Sequence, residues 1–233
     1  MLLHGHGATS TVWFANVAEL GRAHRVFAVD QLGDAGMSVP AGSPIRGRDD
    51  YMTWLDELLD HFQLQSAAFC GHSYGAWLAL NYAVHAPARV AKLALLDPTE
   101  CFAGLSLGYR LRSVPLFVRP SAERARRVVT WESDDIALDL GSLTLACLGG
   151  GEYRGSKLVV PHPPRPDDLR ALEVETLVVL AQKSRAHDVD KVRDAAERLM
   201  PGVSVVTLPN ASHHSIPATD PEPLNRELVR FLA

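Results

Sequence analysis

Cysteine is scarce: Cys70, Cys101 and Cys147 are the only three in 233 residues. An odd, scattered set cannot build a disulfide framework and fits a reducing, cytoplasmic setting. None sits in a C-x-x-C pair, which removes the usual cysteine zinc site. Excess charge is also lacking. A formal net charge of −4 gives no electrostatic basis for holding nucleic acid or an anionic membrane. No apolar run approaches the ~20 residues that cross a bilayer. The opening MLLHGHG lacks the basic and long apolar regions of a secretory signal. Repeats and low-complexity tracts are missing. No His/Asp/Glu spacing suggests a metal site, and the glycines of HGHG lack the G-K-[ST] of a phosphate loop. The expected partner is a small-molecule substrate, with no cofactor.

What remains is ordinary in composition, 47% apolar and 21% charged, and the length suits one domain with a full core. Short apolar runs alternate with helical patterns. Residues 26–30 (VFAVD), 67–70 (AAFC), 90–97 (VAKLALLD), 176–181 (TLVVLA) and 203–209 (VSVVTLP) read as strands. In DDYMTWLDELLDHF, the residues Tyr51, Trp54, Leu55, Leu58, Leu59 and Phe62 recur at helical spacing. YGAWLALNYAVHAP is a small-residue-rich helix stopped by Pro87. VDKVRDAAERLMP and the closing PEPLNRELVRFLA complete the helices. Nearly all-apolar strands alternating with helices predict an α/β fold with a mostly parallel sheet covered on both faces.

Residues 98–175 break this rhythm with several prolines, Gly149 to Gly151 and the basic RARR at 124–127. They read as a mostly helical insertion over the carboxyl edge of the sheet, a cap or lid on a core made of 1–97 and 176–233, the alternative being a surface excursion with no role in substrate binding. Trp13 and Phe14, in the N-terminal segment after the HGHG loop, read as core or, failing that, as the acyl side of a pocket.

Gly71-His72-Ser73-Tyr74-Gly75 falls between a predicted strand and a predicted helix. That is the setting of a nucleophile elbow, a turn so tight that only small residues fit two before and two after the serine. Ser73 would stand at a helix N-terminus, where the dipole favours developing negative charge. LLHGHG (2–7) ends an apolar run in glycine-rich backbone, so the amides of His6 and Tyr74 are candidates for an oxyanion hole. VVTLPNASHHSIP places His213 and His214 just after the last strand, where an imidazole near neutral pKa could accept the serine proton.

These motifs together resemble the α/β-hydrolase superfamily: H-G-x-G at 4–7, G-H-S-Y-G at 71–75, LALLDP at 93–98 and LPNASHHSIPATDPEPLN at 208–225. VDQLGDAGMSVP (29–40) followed by DYMTWLDELLDHF resembles a carboxylesterase-like bacterial branch. The resemblance implies an α/β-hydrolase fold with a helical cap insertion. It also implies a serine hydrolase cleaving a carboxylic ester, lactone or thioester, with the base on His213 and Ser212 where glycine is usual. The alternatives on this frame are a C–C bond hydrolase, an acyl transferase or cyclase of secondary metabolism, or a ligand-binding homologue without turnover.

Two departures stand out. The family commonly carries its acid a few residues past the strand before last, as G-x-x-D or G-x-x-E. Here LVVLAQKSRAHDVD places Ala181 and Ser184 at those positions, and a serine cannot hold an imidazolium by charge. Asp97, ending strand 90–97, and Asp188, four residues past Ser184, are the two candidate replacements, the third reading being a Ser–His dyad with no acid. The family's first two strands also have no counterpart in this sequence, which would leave strand 26–30 at an open sheet edge that a homodimer could cover.

Overall fold

The protein is described by a computed structural model over residues 1–39, 41–42, 44–118, 121–133, 136 and 159–233. Cys147 and Gly149 to Gly151 lie outside the described residues. The strands are β1 (Leu2–Leu3), β2 (Ala28–Val29), β3 (Ala67–His72), β4 (Val90–Leu96), β5 (Thr176–Ala181) and β6 (Ser204–Leu208). The helices are α1 (Val17–Leu20), α2 (Arg48–His61), α3 (Tyr74–His85), α4 (Leu107–Val118), α5 (Ala122–Ser133), α6 (Pro166–Arg170), α7 (Val189–Leu199) and α8 (Pro221–Leu232). The six strands form one sheet in the order β2-β1-β3-β4-β5-β6. Every pairing is parallel.

The strand sequences explain this. Successive side chains alternate between faces, and here both faces are apolar. In β4, Leu93 and Leu95 join one core while Ala94 and Leu96 join the other. In β5, Val178 and Leu180 face the first core, and Leu177, Val179 and Ala181 the second. The first core takes Trp54, Leu55 and Leu59 of α2 and nearly all of α3. The second takes Trp13, Leu20, Leu224 and Leu228. Trp13 is fully buried, but Phe14 is 47% exposed, so the reading of that pair as core holds for the tryptophan only. Among the described residues, no helix is long and apolar enough to cross a membrane. The strand expected over 26–30 shrinks to Ala28–Val29 and forms one edge of the sheet.

Residues 98–175 run between the neighbouring strands β4 and β5 and contain the helices α4, α5 and α6. They reach back to the loops that follow β5 and β6: Ser106 donates from its amide to Ala186 O at 2.7 Å and from its hydroxyl to Arg185 O at 2.7 Å.

Two glycines set how closely the elbow packs. A Cβ on Gly71 would lie 2.2 Å from Gly75 O, and one on Gly75 would lie 2.2 Å from Leu3 O. Both obstacles are backbone, which moves only by shifting an element. Gly75→Ala is therefore expected to cost about 2–3 kcal/mol or to block folding, because an overpacked core displaces backbone. Denaturant titration of the variant checks this, and parental stability would contradict it.

His4 and His72, at the carboxyl ends of β1 and β3, are buried. Burial holds the His4 imidazole below its ordinary value, against the pull of Asp34. Burial, then His213, holds His72 well below it. Both are neutral in the folded state, whereas the unfolded chain protonates them below about pH 6.5. Their stabilisation is thus present above that pH and is lost as pH falls. His187 acts oppositely: burial works against its charged form, but Asp97 beside it raises its pKa. Burial also holds His214 down to about 4 and the N-terminal amine down to about 6, so four groups stand against one and unfolding free energy should decline from pH 7 to pH 5. Denaturant midpoints at the two pH values test this, and an unchanged or rising value would refute it.

Candidate active site

The carboxyl ends of the strands converge on one edge of the sheet, and each contributes a part of the site. Ser73 occupies the turn between β3 and α3 with φ 55 and ψ −115, a conformation that L-residues adopt only under constraint. The constraint is visible: the Ser73 amide donates to Leu96 O at the end of β4 at 3.0 Å, and the flanking glycines admit no side chain. His213 follows β6 and is 1% exposed. Its Nε2 lies 2.9 Å from Ser73 Oγ, and its Nδ1 lies 2.6 Å from Asp97 Oδ2. The carboxylate can only accept, so Nδ1 carries the proton and Nε2 is left to accept from the serine hydroxyl.

Asp97 ends β4 with φ 40 and has no exposed surface. Its Oδ1 accepts from the Ala181 amide at 3.0 Å. Its Oδ2 accepts from Ser184 Oγ at 2.7 Å as well as from His213. His187 Nε2 lies 3.3 Å from the same oxygen. Burial alone would raise the Asp97 pKa, but His187, then His213 and the hydrogen bonds hold it well below the ordinary carboxylate range.

Of the two aspartates offered by the sequence, the structure therefore brings Asp97 to His213. Asp188 instead caps α7. Its Oδ1 accepts from the Lys191 amide at 3.1 Å, its Oδ2 lies 3.2 Å from Lys191 Nζ, and its side chain is 51% exposed. The structure thus spends the Asp188 carboxylate on a helix start and sets Asp97 beside His213. Ser184, at the position where an acid is usual, is a donor to Asp97.

The HGHG loop lies against the nucleophile. A Cβ on Gly5 would sit 3.3 Å from Ser73 Cβ and 3.3 Å from His72 Nδ1. The His6 and Tyr74 rings stand 5.8 Å apart, and Tyr74 opens α3, where first-turn amides have no intrahelical acceptor. The loop is held by carboxylates. Asp34 accepts from the Gly7 amide at 2.7 Å, and Asp30 accepts from the Ser10 amide at 2.6 Å. His4 accepts from the Gln31 amide at 2.9 Å, and Gln31 donates back to His4 O. Neutral His72 donates from Nε2 to His213 O at 2.8 Å and so fixes the base from below.

Several neighbours gave no sign in the sequence. Thr99 Oγ1 lies 3.5 Å from Ser73 Oγ. Tyr109 of α4 hydrogen-bonds to His214 Nε2 at 3.1 Å and forms a T-shaped ring pair with His213. Glu132 of α5 reaches the backbone of the histidine loop. Only His187 had a local cue, since it precedes the capping Asp188. Asp97, His187 and His213 bring ligand-type atoms within 4.8 Å of one another, a grouping that no spacing in the sequence betrays. The 2.6 Å separation between His213 and Asp97 is that of a shared proton, which an ion would have to displace. A cavity of about 1220 Å³ opens beside α3 between Ile45, Trp77, Asn81 and His162; Ser73, His213 and Asp97 do not line it.

This geometry agrees with what the chain is similar to. A family model described as "Alpha/beta hydrolase family" matches residues 1–227. Carboxylesterase YbfK of Bacillus subtilis is 25% identical over 239 residues, spanning 100% of this chain and 79% of the relative. The crystal structure of that carboxylesterase, CesB (YbfK), superposes with a TM-score of 0.91 at 25% identity, covering 100% of this chain and 82% of the other. The naproxen esterase of Bacillus subtilis superposes with a TM-score of 0.89 at 24% identity, covering 100% and 82%, a likeness of fold. With a strand–elbow–helix at Ser73, a histidine after the last strand and a family match over nearly its full length, the chain belongs to the alpha/beta hydrolase family.

Proposed function

We propose that the protein is a serine hydrolase that cleaves a carboxylic ester, lactone or thioester through an acyl-enzyme. The observation that carries the reading is the continuous relay from Ser73 Oγ through His213 to the buried Asp97, at 2.9 Å and 2.6 Å. Similarity over the whole chain to a carboxylesterase supports the ester as substrate class.

In this mechanism the Ser73 hydroxyl gives its proton to His213 Nε2 as Oγ attacks the substrate carbonyl. The His6 and Tyr74 amides receive the oxyanion. Asp97 holds the imidazolium in its orientation and stabilises its charge without becoming protonated itself. His213 passes the proton to the leaving alcohol or thiol. It then activates a water that attacks the acyl carbon, and Ser73 is released. Residues 98–175 serve as the cap over the substrate. The assembled relay argues against a homologue that only binds ligand.

The test is labelling with a fluorophosphonate, read by intact mass, together with hydrolysis of p-nitrophenyl esters. One adduct is expected on the parent and none on Ser73→Ala. Asp97→Asn is expected to lower kcat by about 10⁴-fold, as loss of the acid does where a serine relay depends on it. Asp188→Asn should stay near the parental rate. An unlabelled, folded parent would overturn the mechanism, and equal losses in the two asparagine variants would overturn the assignment of the acid.

A further inference from the structure

The last turn of α5 lies in the insertion, far in sequence from the hydrolase core. It ends in Trp131, Glu132 and Ser133, and all three meet the two loops that carry the base and the partners of the acid. Trp131 O accepts from Arg185 Nη1 at 2.6 Å. Ser133 Oγ accepts from Ser212 Oγ at 3.4 Å. Glu132, 1% exposed, is the centre of the contact. Its Oε1 accepts from the His213 amide at 2.8 Å and from the Arg185 amide at 3.2 Å. Its Oε2 accepts from the His214 amide at 3.0 Å. One carboxylate thereby ties together the β5–α7 loop and the β6–α8 loop.

A carboxylate in this place is an expensive way to fill space. Burying a charge is unfavourable unless hydrogen bonds and opposite charge offset it. Here both oxygens are used, and all three donors are backbone. Burial would raise the Glu132 pKa, but His214, then His213 and the amides hold it below the ordinary value, so it stays ionised. Charge-assisted bonds are shorter and more directional than neutral ones, and these act on the main chain of the base itself. The other supports of His213 come from the core: Asp97 on Nδ1 and His72 on its carbonyl. From the insertion, Tyr109 of α4 packs its ring against that of His213, and Glu132 takes the hydrogen bond of the His213 amide.

We infer that Glu132 is a positioning residue: carried on the insertion helix α5, it sets the backbone of His213 and makes docking of that helix a condition for assembling the Ser73–His213–Asp97 relay. The inference rests on the serine-hydrolase reading above. It gives the insertion a second task besides covering substrate. The helix completes the base, so a displaced α5 would leave a folded core with an unplaced histidine.

Glu132→Gln tests it, since the shape is kept while one acceptor becomes an N–H₂ facing an amide donor. The parent, Ser73→Ala and Glu132→Gln are compared on p-nitrophenyl acetate, butyrate and octanoate, and by the rate of fluorophosphonate labelling. The expected result is a kcat lowered about 10- to 100-fold on all three esters, the scale of a small misplacement of a catalytic group. KM should change by less than about threefold, since substrate binding is untouched. The labelling rate should fall with kcat, and the far-downfield proton signal of the His213–Asp97 pair should shift or broaden. A folded variant with parental kcat and labelling rate would overturn the inference. So would a loss confined to KM that grows with acyl length, which is what a merely covering helix would give. Glu132→Asp, which keeps the charge but shortens the reach, is judged by the same criteria and decides the matter if Glu132→Gln does not fold. A parent that neither labels nor hydrolyses any ester would overturn the serine-hydrolase reading and this one with it, whereas an active parent beside unaffected Glu132 variants overturns this one alone.

Discussion

Asp97 is an ionised carboxylate taken wholly out of water at the end of a central strand. The cost of that burial amounts to several kcal/mol for an isolated ion. Four groups offset it: the Ala181 amide, the Ser184 hydroxyl, the His213 imidazole and, at 3.3 Å, His187. They arrive from three separate places, the end of β5, the loop after it and the loop after β6. Asp97 thereby draws these segments to one point. If any one of them moves, a buried charge loses a partner, which costs more than forming the bond gained. The electrostatic need of one side chain is what fixes the relative positions of the parts.

The parallel sheet makes such convergence possible. Parallel strands all point their carboxyl ends to the same edge, so residues far apart in sequence meet there. His4 follows β1, Ser73 follows β3, Asp97 follows β4, Ser184 and His187 follow β5, and His213 follows β6. The same arrangement needs tight contact between β1 and α3, because Gly75 packs against Leu3 O without room for a methyl group. Apolar burial on both faces supplies the stability that lets Ser73 keep its strained backbone at a cost of about 1–3 kcal/mol.

The parts of the structure governed by local rules could be read from the sequence. Strand β4 and helices α2 and α3 follow the apolar patterns closely, since burial on two faces or along one stripe writes itself into residue order. The elbow is equally local, because glycine two residues before and after Ser73 answers a steric demand within that turn. The acid was not decidable in this way. Asp97 and Asp188 are both plausible at a strand end or a helix start, and only their surroundings separate them. One is encircled by donors from two other strands; the other is spent on its own helix. Glu132 was further out of reach. It lies on an amphipathic helix, where an acidic residue reads as surface, and its partners stand about 50 and 80 residues away in sequence. Among the described residues of the insertion there is no strand to impose a period, so its order came only partly through.

The fate of position 184 shows how a site can keep its geometry while changing its residues. In the pattern this chain resembles, that loop supplies the acid. Here it supplies a hydroxyl that donates to Asp97 at 2.7 Å, and the carboxylate that meets His213 stands one strand over. Nothing needs to shift at His213, because Nδ1 still meets a carboxylate oxygen. The loop after β5 keeps its part in orienting the base, now through a neutral donor and the Ala181 amide. Of the two imidazoles beside Asp97, His213 lies nearer to Oδ2, 2.6 Å from Nδ1 against 3.3 Å for His187 Nε2. By the inverse dependence of Coulomb energy on distance, that gap favours His213. Asp97 thus sits closer to the histidine that faces Ser73 than to His187, which stands at the longer distance.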